Sequence, residues 1–134
     1  LTHDALPAAG DGTTIADGIN VQVPRNWRKA VRAIRATEGA IVSVGDEAML
    51  AALAQAGRHG VFGEPAAAAS IAGVKAAVDR GIIGRDESVL TVNTGSGLKD
   101  TVSAMKAVGQ PIQIEADLDA VAAGLEAAHK TKKK

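Results

Sequence analysis

Short apolar runs of strand length alternate along this chain with stretches of helical spacing, and glycine or proline marks most of the changes. The run AIVSV at 40–44 carries no charge and is too short for a helix, and VLTV at 89–92 repeats the pattern. Uncharged runs of this length suit strands covered on both faces. Elsewhere apolar residues return every three or four positions. Trp27, Ala30, Val31 and Ile34 make a stripe on a predicted helix from Trp27 to Thr37, opened by Asn26 and ended by Gly39. Arg25, Arg28, Lys29, Arg32 and Arg35 form its basic, solvated face. Asp46 opens a second helix to about Ala56, with Met49, Leu50, Leu53 and Ala54 inward and Gly57 and Gly60 as stops. Pro65 suits the first turn of a third, which runs to Arg80 and closes at Gly81. A fourth spans Leu98 to Ala107, stopped by Gly109 and Pro111, and Asp117 opens a last one to about His129. Further extended pieces are predicted at 18–23, at Val61-Phe62 and at Ile112 to Ile114. Residues 1–12 read as an irregular lead-in and 130–134 as a frayed, lysine-rich tail. This alternation specifies an α/β chain, part of a mainly parallel sheet flanked by helices.

With 134 residues, the chain has room for one core, so 1–134 reads as a single α/β unit. Fifteen basic and fifteen acidic residues balance to zero net charge, which argues against a dedicated nucleic-acid binder. No apolar stretch reaches the length of a membrane span. The absence of cysteine removes disulfides and thiolate metal sites. The apolar residues are mostly Ala, Val, Ile and Leu; the only aromatics are Trp27 and Phe62. Alanine buries little area, so such a core contributes weakly per position and suits a larger assembly. The chain opens on Leu1 without a leader pattern, which points to a piece of a larger cytoplasmic protein.

Three segments carry candidate chemistry. In TVNTGSGLKD (91–100) a strand runs into a glycine-rich turn and then a helix. Ligands of open α/β sheets gather at such corners, although an ordinary tight turn has the same pattern. Lys99 is misplaced for a phosphate-binding P-loop. In FGEPAAAAS (62–70), Glu64 precedes a helix whose first turn is nearly all alanine. That is either a carboxylate facing a site beside a wall of small residues, or an acid favoured by the helix dipole. GDGTTIADGINVQVP (10–24) borders a site more readily than it cages a cation, because the later Glu of a calcium loop is missing. No metal site is expected. His3, His59 and His129 fall in a lead-in, a loop and a helix end, with no spacing that builds a catalytic triad.

In this order, T-I-A-D-G-I, E-P-A-x-A-A-S and T-G-S-G-L-K-D resemble the C-terminal third of the threonine synthase family, pyridoxal-phosphate enzymes related to the tryptophan synthase β-subunit. The resemblance covers residues 10–108; 109–134 adds a terminal strand, a helix and the basic tail. It implies a tryptophan synthase β-like fold, pyridoxal 5′-phosphate as cofactor, and a lyase that makes L-threonine and phosphate from O-phospho-L-homoserine and water. It places Thr94 at the pyridine nitrogen, with Glu64 and the small residues around Ala16 close to the ring. It also implies a homodimer when complete. The family's Schiff-base lysine motif, its Ser-x-Gly-Asn loop and its phosphate loop have no match here, and Lys99 is not that lysine. No catalytic residue is therefore expected in this chain, and its partner is the missing N-terminal part, without which it is inactive. The rivals are a serine/threonine dehydratase-like or other β-replacing enzyme of the same superfamily, and a free-standing, non-catalytic α/β binding module.

Overall fold

The computed structural model describes residues 12–131. The lead-in up to Asp11, with His3, and the last three lysines lie outside them. Five helices follow in order: α1 (Trp27–Ala36), α2 (Asp46–Arg58), α3 (Pro65–Asp79), α4 (Thr101–Val108) and α5 (Leu118–Thr131). Two short 3-10 turns, Asp17–Ile19 and Gly97–Lys99, stand before α1 and before α4.

Local chemistry accounts for most of the helix ends. Pro65 occupies the first turn of α3, where a missing N–H costs nothing. Gly81 takes a positive φ of 69° just past α3, and Ile82 N–H closes back on Ala77 O at 2.9 Å. Asp117 accepts from Ala120 N–H at 3.1 Å at the start of α5. Asn26 stands at the N-cap of α1 but makes no side-chain cap bond. All five basic residues of the α1 region are exposed.

Two boundaries differ from expectation for a visible reason. Asp46 does not cap α2; Gly45 holds the cap position and Asp46 is the first helical residue, its carboxylate turned to another segment. The fourth helix starts at Thr101, not Leu98. The Ser96 hydroxyl accepts from Leu98 N–H at 3.3 Å and opens the 3-10 turn, and Asp100 then caps α4 anew. The piece expected as extended at 18–23 begins in the 3-10 turn at 17–19.

The predicted sheet is not present. Among the described residues there is no strand, and the one β-bridge joins Gly63 to Ser96 in antiparallel sense. The runs 40–44 and 89–92 lie outside the helices and have no ladder, because a strand needs a neighbour about 4.8 Å away. Instead Val44, Val89 and Thr91 border a groove of about 710 Å³ against α2 and α3. One carbonyl of the first run, Ser43 O, accepts from the Arg80 guanidinium at 3.3 Å. Ile112 to Ile114 likewise forms no strand.

The core lies where α2 meets α3, with α4 also packed on α2. Ala52, Leu53, Ala68 and Ala72 are its buried centre, and Val44, Ile71, Ala104 and Ala107 pack around them. Met49 and Leu53 point inward as expected, while Leu50 and Ala54 are half-buried. With alanine at three of the four central positions, the helices approach closely and Leu53 supplies most of the interdigitating volume.

Candidate functional site

The three segments singled out in the sequence meet at the N-terminal end of α3. Ile15, Asp17 and Gly18 from the first, Glu64, Pro65 and Ala66 from the second, and Lys99 and Asp100 from the third line one cavity of about 260 Å³.

Each segment is tied there by an identifiable bond. The Asp46 carboxylate at the head of α2 accepts from the Thr14 hydroxyl at 2.5 Å and from Ile15 N–H at 3.2 Å. That anchors the TIADGI segment, whose 3-10 turn packs on α3. The other two segments are clasped by backbone. Glu64 N–H donates to Gly95 O at 3.1 Å, and Gly97 N–H donates to Phe62 O at 3.0 Å. The clasp works because glycines stand at its contact points. A Cβ on Gly63 would lie 2.6 Å from the Asn93 amide oxygen, and one on Gly95 would overlap the Glu64 carboxylate.

Glu64 is the hub. It holds the N-cap position of α3, yet its side chain makes no cap bond. Its Oε2 lies 3.0 Å from Lys99 Nζ, and its Oε1 lies 3.6 Å from where a Cβ on Gly18 would be. One carboxylate thus binds the third segment and stands close to the Gly18 turn of the first. The Glu64 side chain is 15% exposed and that of Lys99 66%. A pair with one end in water contributes about 1 kcal/mol or less to stability, so its significance is geometric.

Of the residues expected at a ring, Glu64 lines the cavity. Ala16 is buried behind Ile15 and Asp17, where its carbonyl accepts from Ile19 N–H at 3.0 Å and turns the chain. Thr94 is exposed, one residue from the clasp and outside the cavity lining. Sequence reading missed Lys99 as the partner of Glu64; the 10–24 segment, expected to border a site, supplies Asp17 and Gly18 to the wall. An acid at 64 and a base at 99, each beside a glycine turn, was the available signal.

Asp100 closes the cavity floor and also caps α4, accepting from Ser103 N–H at 3.0 Å. That bond, with the positive charge of Lys106 further off, holds its carboxyl below the ordinary Asp range. The folded pKa is depressed, so the stabilisation is complete above the unfolded value of about 3.9 and is lost as pH falls through the folded one. Helix α4 is therefore expected to loosen in acid below about pH 4. Asp100→Asn keeps a capping side chain and should flatten that limb; helicity by circular dichroism between pH 2 and 6 is the check, and an unchanged acid limb would contradict it.

The family profile described as pyridoxal-phosphate dependent enzyme matches residues 2–95. A threonine synthase of Methanosarcina acetivorans is 42% identical over 109 residues, 81% of this chain and 27% of that protein. The threonine synthase of Methanocaldococcus jannaschii is 43% identical over 107 residues, 79% of this chain and 26% of its own length. That of Mycobacterium bovis is 44% identical over 94 residues, 69% and 26% respectively. The chain thus spans about a quarter of the length of these curated relatives. Among the described residues no helix is long and apolar enough to cross a membrane.

Proposed function

The chain belongs to the pyridoxal-phosphate dependent enzyme family, and on that premise we propose that it is the C-terminal portion of a threonine synthase acting on O-phospho-L-homoserine. The observation that carries the reading is the meeting of the TIADGI, EPAAAAS and TGSGLKD segments around the one cavity that Glu64 lines. The names and lengths of the relatives support it.

The donor set fits one edge of the cofactor. A threonine hydroxyl both donates and accepts, so Thr94 suits an aromatic ring nitrogen in either protonation state. Gly95 beside it leaves room for the Glu64 side chain to lie against the turn. When bound, the cofactor supplies an electron sink for negative charge at the reacting carbon. The work of this chain is to bind and orient. Thr94 holds the ring nitrogen without setting a full negative charge next to it, and Pro65 and Ala66 keep water from the wall beside Glu64. Lys99 does not supply the covalent link in this reading, because the family's linking lysine belongs to a motif that this sequence does not contain. In this reading the linking lysine, the phosphate contacts and the strand partners for 40–44 and 89–92 come from the remainder of the polypeptide. A cytoplasmic site of action accords with a charged phosphate ester as substrate.

The test is Thr94→Val in a protein of the relatives' full length. The change keeps shape and β-branching and removes one hydrogen bond. It should cost about 1–3 kcal/mol in cofactor affinity or turnover, read as cofactor titration and phosphate release. Ser96→Ala, which removes only the cap of the 3-10 turn, should be milder. Wild-type behaviour of Thr94→Val with a defect in Ser96→Ala would displace the ring from Thr94. Threonine formation by the 134-residue chain alone would overturn the partial-chain reading.

A further inference from the structure

Lys99 has no role in the sites described so far beyond its contact with Glu64. It sits on the 3-10 turn that directly follows the Thr94-Gly95-Ser96 loop. Its ammonium reaches back to Glu64 Oε2 at 3.0 Å. The Glu64 side chain in turn fills the space over Gly95, close enough that any Cβ there would lie 2.8 Å from its Cγ. Glu64 N–H also holds Gly95 O at 3.1 Å. Without a partner, that carboxylate has no reason to lie across Gly95, because it makes no bond to the N-terminus of its own helix. A carboxylate turned onto the α3 N–H groups would be favoured there by the helix dipole. The ion pair selects the other orientation. The chain of contact is thus Lys99 to Glu64, Glu64 to Gly95, and Gly95 to its neighbour Thr94.

We propose that Lys99 is a positioning residue, holding Glu64 across Gly95 and so setting where the Thr94 hydroxyl stands. The proposal rests on the reading of Thr94 as the ring contact. Lys99 touches neither ring nor substrate in it. Its side chain is two-thirds in water, so removing it leaves the α2–α3 core intact, and the consequences are confined to the clasp.

Two measurements test this. In the 134-residue chain, amide exchange of Glu64 and Gly97, the two N–H groups of the clasp, should quicken about two- to fivefold in Lys99→Met, the range one partly exposed pair supports. Amides of α2 and α3 should not change, and Lys99→Arg should restore the wild-type rates. In a protein of the relatives' length, cofactor titration should show a weakening of similar size for Lys99→Met. That effect should vanish when Thr94 is already Val, because the two act in series. Additive losses, failure of the Arg variant to rescue, or unchanged exchange at Glu64 and Gly97 would each overturn the proposal. If Thr94→Val alone leaves cofactor affinity intact while Lys99→Met still quickens exchange, the placement of the ring fails and the clasp stands.

Discussion

Leu53→Ala is expected to destabilise the chain by about 2–4 kcal/mol, a fall of roughly 8–16 °C in Tm for a unit of this size. Leu53 is buried between α2 and α3 among Ala52, Ala68 and Ala72. Alanine neighbours are already in close contact, so little of the vacated volume can be refilled by collapse. The void would also open toward the site, because Leu53 shares a small internal space with Val61, Gly63 and Asn93. Val61 and Gly63 adjoin Phe62 and Glu64 of the clasp, so exchange at Gly97 N–H should quicken together with the loss of stability. Domains of this kind hold about 5–15 kcal/mol in all, which makes the change a large fraction of the whole. Leu50→Ala, at a half-buried position on the same helix, is the control and should cost less than half as much. Equal losses at the two positions in thermal or urea unfolding would mean that the α2–α3 contact is not the core.

The second large effect is expected at Gly95. Gly95→Ala puts a methyl group into the Glu64 side chain, with Cγ at 2.8 Å as well as the carboxylate in the way. Motion of the far end of Glu64 is not enough to relieve this; the side chain must leave its rotamer and give up Lys99. Overpacking of this kind costs about 1–3 kcal/mol. In a protein of the relatives' length the cost should appear as a roughly 5- to 150-fold loss in cofactor affinity. Gly97→Ala makes a useful contrast. There the obstacle is the Phe62 ring, with Cζ at 2.7 Å, but Phe62 is 44% exposed and can swing outward. A Gly97→Ala protein as impaired as Gly95→Ala would show that any side chain in the turn is harmful, irrespective of Glu64.

The helices were legible because their signals are local. Pro65, Gly81 and Asp117 act on backbone within one turn, and the structure uses all three where the sequence places them. The start of α4 was misread because Ser96 and Asp100 are both good caps, and the first opens only a 3-10 turn. The sheet is not formed among the described residues for a different reason. AIVSV and VLTV state a preference for extended backbone, and both lie outside the helices, but no run of residues names the strand it pairs with. At the site, the three segments could be picked out by composition, whereas the Glu64–Lys99 pair depends on how the chain returns after the second extended run. Asp46 shows the same limit: its position suggested a cap for α2, and its carboxylate serves Thr14 and Ile15 instead.

The carboxylate of Glu64 also bears on how such chains can diverge. It lies across Gly95 and against Lys99 at once, so a change at any of these three positions leaves a misfit that the other two cannot absorb without moving. Each position taken singly then tolerates little drift. A lineage escapes only by paired replacement, a shorter acid with a larger residue opposite Gly95, or exchanged charges at 64 and 99. Substitutions at 64, 95 and 99 should therefore accumulate in correlated steps across descendants, while the exposed basic face of α1 varies position by position.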